Sequence, residues 1–156
     1  MQKSQKAGGF ANSYEACFEA LLRSGCVAGV ALLDICGRPL FERRVDDRLP
    51  VGKEEGRLVS FAEGEQLAAA VKGLSDDGLC RRDRLSCMGI AYRVFGGNPR
   101  GIYAVGPGRR VGMIVRSLAH MGFLVVFYRR PHLPQQVVPC VENFIDDFLA
   151  DAQGFR

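Results

Sequence analysis

The chain has 156 residues, a formal charge of +4, 47% hydrophobic and 24% charged side chains, the balance of one folded domain with a single sizeable core. No apolar run nears the ~20 residues that span a bilayer, and MQKSQKAGGF at the N-terminus lacks a hydrophobic signal core, so a cytoplasmic protein is expected. Six cysteines (17, 26, 36, 80, 87, 140) form no C-x-x-C pair and the two histidines (120, 132) have no ligand spacing, which argues against a zinc site and for reduced thiols, several of them in the core.

Asn12 followed by Glu15 is a capping-box signature, and Tyr14, Cys17, Phe18, Leu21 and Leu22 then fall on one face, predicting a helix over 13–24 that Gly25 stops. Val27 to Cys36 is apolar and β-branched, Gly37-Arg38-Pro39 is a turn, and Leu40 to Arg44 returns as the second strand of a hairpin. Residues 45–59 are polar with one proline and two glycines and read as a long surface loop. Ser60 and Glu63 make a second capping box, opening a short helix with Leu67, Ala70, Val71 and Leu74 on its buried stripe. Strands follow over Leu85–Phe95, Ile102–Val105, Val111–Ser117 and Phe123–Tyr128, separated by GGNPRG, GPG and SLAHMG. Pro139 fits the first turn of a last helix whose stripe is Val141, Phe144, Ile145, Phe148 and Leu149, with Gly154 at its end. The order predicts an α+β fold, a central antiparallel sheet covered by helices.

Charge is divided unevenly along the chain. Residues 81–130 hold ten arginines and one acid, Asp83, whereas the remainder holds 11 basic and 16 acidic residues. A cationic surface is expected from that stretch, suited to an acidic protein, a phosphoinositide headgroup or nucleic acid.

The motifs of chemistry fail one by one. GPGRRVGMIVRS has neither the P-loop nor the dinucleotide-binding glycine spacing, and it leads into a strand, so it reads as a hairpin turn with Arg109 and Arg110 exposed. No serine or cysteine is placed beside a histidine and an orienting acid, and Asp46-Asp47, Asp76-Asp77 and Asp146-Asp147 read as solvated surface, so no enzyme is expected. CMGIAYRVF does not match the aromatic strand motif of an RNA-recognition sheet, which argues against nucleic acid.

In its last third the chain reads AYRVFGGNPRGIYAVGPGRRVGMIVRS and then FLVVFYRRPHLPQQVVPCVENFIDDFLADAQGF. From about Tyr14 to Phe155 it resembles profilin, the actin-monomer-binding family. Gly97-Asn98-Pro99 matches a turn of that family, Arg116-Ser117 stands where its Lys-Thr pair is expected, and YRRPHLPQQVVPCVE matches its connection from an apolar strand to the C-terminal helix. VAGVALLDICGRPLFE is similar to the first hairpin. The departures are residues 1–12, an N-terminal extension to a domain over 13–156, a long 42–60 connection with its loop insertion over 45–60, and two extra residues in SLAHMG.

The resemblance implies a central sheet with the N- and C-terminal helices packed on one face and a short helix on the other. It implies a monomeric, non-enzymatic protein of the cytoplasm and cytoskeleton that needs no cofactor, binds monomeric actin, and influences nucleotide exchange or filament assembly. Carried onto matching positions, actin contacts fall on Arg93, Val94, Arg116, His132, Leu133, Gln135 and Asn143, with Arg116 the leading one as an exposed strand cation. The family's proline-rich-ligand site falls on Tyr14, Phe41, Phe148 and Phe155, with Cys17 where a tyrosine is expected. The chain has no tryptophan, and phenylalanine lacks the donor that tryptophan and tyrosine offer to a proline carbonyl, so weak or altered polyproline binding is expected. Phosphoinositide binding falls on Arg109, Arg110, Arg129 and Arg130. The alternative is a small sheet-and-helix scaffold or sensor domain, of the PAS or roadblock kind, that dimerises or holds a small ligand.

Overall fold

The computed structural model of the protein describes residues 15–49, 57–74 and 82–152. Tyr14, Phe155, Cys80, the N-terminal extension and the middle of the 45–60 loop lie outside the described residues.

Seven strands form one antiparallel sheet: β1 (Gly29–Leu33), β2 (Pro39–Arg44), β3 (Arg84–Cys87), β4 (Ile90–Asn98), β5 (Gly101–Val105), β6 (Val111–Ser117) and β7 (Phe123–Arg129), in the order β2-β1-β7-β6-β5-β4-β3. Alternation along the strands divides the core in two. Ala31, Leu33, Met113, Val115, Val125 and Phe127 point to one face, where Leu67, Ala68 and Val71 of helix α2 (Phe61–Lys72) pack. Val30, Leu32, Ile114, Leu124 and Val126 point to the other, under Phe18 and Leu21 of helix α1 (15–22) and Val137, Val141 and Ile145 of α3 (Pro134–Ala152). The two terminal helices therefore share one face and the short helix covers the other, as the resemblance implies.

Helix α2 begins where its capping box predicts. Ser60 Oγ accepts from Glu63 N at 3.2 Å, and Glu63 Oε1 accepts from Ser60 N at 3.1 Å, satisfying two amides that the first turn leaves free.

Three expectations change. The strand read as Leu85–Phe95 is two strands, because Met88 and Gly89 both take positive φ, 57° and 72°, and fold β3 back on β4 through a two-residue turn. The last helix starts five residues early: Pro134, not Pro139, occupies its first position, and Leu133 N donates to Gln136 Oε1 at 3.1 Å ahead of it. Pro139 lies inside the helix.

The 45–59 segment is not surface throughout. Leu49, Leu58 and Val59 are buried, and the Glu42 carboxylate accepts from Leu58 N and Val59 N at 3.0 Å each, so the β2 edge holds the far end of the loop. Of the described cysteines only Cys87 is fully buried; Cys17 and Cys36 are exposed and Cys26 and Cys140 half-buried.

Candidate functional site: a basic groove on the helix face of the sheet

Strands β4 and β5 run past the cover of α1 and α3, leaving part of the sheet open. At β4 the pairing shifts between Val94 and Gly96, and this bulge places Phe95 outward, 47% exposed, with its ring centroid 6.3 Å from that of Tyr103 on β5. Arg93 pairs with Val105 across the two strands.

The far wall comes from the β5–β6 turn and the chain after β7. Gly106 N donates to Val111 O at 2.9 Å, and Gly108 and Arg109 follow at φ 67° and 56°. A non-glycine residue in the left-handed region costs on the order of 1 kcal/mol, and such strain is retained where the surrounding structure over-determines it. Here Arg130 N donates to Arg110 O at 3.1 Å and Arg130 Nη2 to Gly108 O at 3.0 Å, so the turn and the segment after β7 hold each other. Three cations, Arg109, Arg110 and Arg130, are exposed on this tip.

Between these walls lies a groove of about 470 Å³. Arg93, Phe95, Val105, Arg109, Arg110 and Val111 line it from the strands and turn, with Tyr128 from β7 and Arg130, His132, Leu133, Pro134 and Gln135 from the connection into α3. Leu133 is 49% exposed there, a second apolar side chain in water beside Phe95. Its lining combines apolar side chains with four arginines, the chemistry of a docking surface that suits an acidic partner with apolar side chains. Among the described residues no group of three or more His, Cys, Asp or Glu is placed to hold a metal ion.

The sequence-derived positions divide cleanly. Arg93, His132, Leu133 and Gln135 converge on the groove, although they come from two segments about forty residues apart. Val94 does not join them: it packs into the core on the α2 face. Asn143 is exposed on α3 but does not line the groove.

Arg116 departs most. Expected as an exposed strand cation, it is 5% exposed; its Nε lies 3.0 and 3.1 Å from the two Glu142 carboxylate oxygens, and its Nη1 donates to Ser117 O at 2.9 Å. Its even position on β6 points it under α3, where the helix supplies the counter-ion. Arg129 is likewise engaged, with Nη1 3.3 Å from Asp46 Oδ2, and does not belong to the open cluster. Phe95 was missed by sequence reasoning; the bulge that turns it outward has only the following Gly96-Gly97 as its signal.

A second aromatic region lies where the terminal helices meet. Phe18 is fully buried and its ring stands 6.1 Å from Phe41, 5.6 Å from Phe144 and 5.4 Å from Phe148, the last nearly parallel at 22°. Phe41 and Phe148, two of the expected proline-site residues, are thus joined through a residue the sequence reading did not assign to that site.

One seven-stranded antiparallel sheet, with the terminal helices on one face and a short helix on the other, is the profilin fold. Among solved structures the chain is similar to Acanthamoeba castellanii profilin Ib, with 22% identity, a TM-score of 0.63 and coverage of 83% of this chain and 90% of that one. It is similar to Schizosaccharomyces pombe profilin at 18% identity, TM-score 0.64 and coverage of 87% and 95%. It is also similar to LokiProfilin2 in its complex with rabbit actin, at 12% identity, TM-score 0.67 and coverage of 88% and 96%. At these identities the likeness is one of fold. No protein-family model matches the sequence, and no curated protein matches it.

Proposed function

We propose that the chain binds monomeric actin through the basic groove and so regulates actin polymerisation and nucleotide exchange, as a non-enzymatic protein of the cytoplasm. The observation that carries this reading is the convergence of Arg93, His132, Leu133 and Gln135, four positions the family resemblance assigns to actin, on one groove lined also by an exposed aromatic, Phe95. A structural neighbour, LokiProfilin2, was solved with rabbit actin, which supports the same partner class. Purified protein is expected to co-migrate with monomeric actin in gel filtration and to change the rate of its polymerisation. Arg93→Glu reverses a rim charge and is expected to weaken binding about tenfold, roughly 1.4 kcal/mol. Protein that neither co-migrates with actin nor alters its assembly sinks the proposal.

A second reading, phosphoinositide binding, is favoured by the exposed tip of Arg109, Arg110 and Arg130, each cation contributing about 1 kcal/mol near an anionic surface. It leaves out Arg129, whose Nη1 is turned to Asp46 Oδ2 at 3.3 Å and which is only partly exposed. Sedimentation with phosphoinositide vesicles is expected to be lost in Arg109→Ala/Arg110→Ala and kept in Arg129→Ala. Proline-rich peptides are expected to bind weakly at Phe41 and Phe148, since neither side chain donates a hydrogen bond to a proline carbonyl.

A further inference from the structure

One cross-strand row runs through the groove. Tyr128 pairs with Gly112, Gly112 with Val105, Val105 with Arg93 and Arg93 with Arg84, so the five positions form a line across β7, β6, β5, β4 and β3. A Cβ on Gly112 would collide with the hydroxyl end of Tyr128, so the phenol ring lies over β6 in the space that the glycine leaves. Tyr128 lines the groove and is only 3% exposed, and its hydroxyl has no hydrogen-bond partner among the described residues. An orphaned buried hydroxyl costs stability and calls for an acceptor. Around this row the charge is one-sided. Arg93, Arg109, Arg110 and Arg130 line the groove and no Asp or Glu does. Among the described residues none of the four is in an ion pair. Arg84 stands directly opposite Arg93, a like-charge pairing that destabilises a sheet unless an anion comes between.

We propose that this groove is a binding site for a nucleoside triphosphate, with the phosphates on the arginines, the base against Phe95 and Leu133, and a ligand oxygen accepting from the Tyr128 hydroxyl. Charge decides between anions. A single carboxylate would leave most of the four cations unmatched, whereas a polyphosphate offers several negative charges and many acceptor oxygens to guanidinium groups. The apolar lining decides between phosphates. An inositol or sugar phosphate would satisfy the arginines and leave the exposed Phe95 and Leu133 in water, but a base has a flat face that stacks on an aromatic ring and covers apolar surface. The volume of about 470 Å³ falls within the roughly 300–1,000 Å³ of small-molecule sites. The site shares a surface with the proposed actin contact but does not rest on it, because the ligand is held by this chain alone.

The test is calorimetric titration of the full chain, without actin and without divalent cations, against ATP, inorganic tripolyphosphate, adenosine and inositol trisphosphate in turn. ATP is expected to bind one to one and at least about tenfold more tightly than any of the other three, since each of them lacks the phosphates or the base. Phe95→Ala is expected to weaken ATP about tenfold and to leave tripolyphosphate unchanged. Tyr128→Phe, which removes one oxygen and keeps the ring over Gly112, is expected to weaken ATP about threefold or more. Absence of ATP binding overturns the proposal. So does tripolyphosphate or inositol trisphosphate binding as tightly as ATP, which would make the groove a reader of charge or of a lipid headgroup, and so does an unchanged ATP affinity in either variant. The ranking of the four ligands comes from the unsubstituted protein, so it does not depend on how a variant folds. Actin is absent throughout, so a failure here leaves the actin reading standing and a failure of that reading leaves this one.

Discussion

The Tyr128 hydroxyl is buried with no hydrogen-bond partner, and burial pushes its ionisation up from 10.0 to about 12. Tyr92, also buried and unpartnered, is shifted in the same direction by burial. An acid whose folded value is raised contributes stability that is complete below pH 10 and lost as pH rises through the folded value, so alkaline weakening is expected between about pH 10 and 12. Tyr128→Phe removes a hydroxyl that bonds to nothing. It is expected to leave the urea midpoint at pH 7 unchanged or slightly raised and to flatten the alkaline limb, Tyr92 supplying the slope that remains. Arg116 presents the opposite case, a charge whose removal orphans its partner. Arg116→Ala is expected to cost about 1–3 kcal/mol in urea unfolding, less than for a fully dry pair because Glu142 keeps 24% of its side chain in water. Arg93→Glu, at an exposed strand position, is expected to leave that midpoint in place. An unshifted midpoint for Arg116→Ala would return Arg116 to the surface role its strand position suggested. That burial was illegible because its cause, Glu142, lies 26 residues away on another element, and a single strand cannot announce which helix will cover it.

At the scale of elements, α2 sits against the β1–β2 turn at a place where neither side tolerates a side chain. A Cβ on Gly64 would collide with the Gly37 carbonyl oxygen, and Gly37 itself takes a φ of 92°. Gly64→Ala, which should help an isolated helix, is therefore expected to destabilise the protein by about 2 kcal/mol or more, read as a lower urea midpoint. A neutral outcome would mean that α2 and the turn can separate without loss. Which features were legible follows from how local their causes are. The α2 start depends on Ser60 and Glu63 alone and was found in place. The β1–β2 hairpin and strands β5, β6 and β7 were legible from apolar runs bounded by glycine and proline. The β3–β4 turn escaped because methionine is an unusual residue at positive φ, and without an Asn-Gly or Asp-Gly signal LSCMGIAYRVF reads as one strand. The start of α3 was displaced because two prolines competed for the first helical position, and Pro134 is favoured by Gln136 reaching back to Leu133 N. Of the groove, His132 and Leu133 before α3 and Gln135 in its first turn came from the register of the resemblance. Phe95 needed the bulge, which only strand pairing reveals.

Across the whole molecule, the acid limit is set in part where the β2 exit meets the end of β7. Hydrogen bonds from the Arg48 side chain and backbone, with a smaller one from Arg129, hold the Asp46 carboxyl down from 3.8 to about 2. A carboxyl depressed in the folded state contributes stability present above its unfolded value and lost as pH falls through the folded one. Asp46→Asn is therefore expected to flatten the stability profile between about pH 4 and 2 in acid-titrated urea unfolding, and an unchanged slope would show that the Asp46 cluster does not couple to folding. The same end of the sheet governs how the chain is made. Every neighbouring pair in the strand order is a hairpin between consecutive strands except one: β1 pairs with β7, Gly29 opposite Phe127. Strands β3 to β7 can close in succession as they emerge from the ribosome, each on its predecessor. The β1–β2 hairpin, complete at Arg44, emerges first and has no strand for its inner edge until β7 has been synthesised, ending 85 residues later at Arg129. All five β1 residues, GVALL, are buried in the finished sheet, so until β7 arrives the nascent chain carries an unpaired apolar edge. Escape from aggregation during synthesis then depends on the time taken to translate that interval, and slowing elongation within it is expected to lower soluble yield with no change in the stability of the folded product.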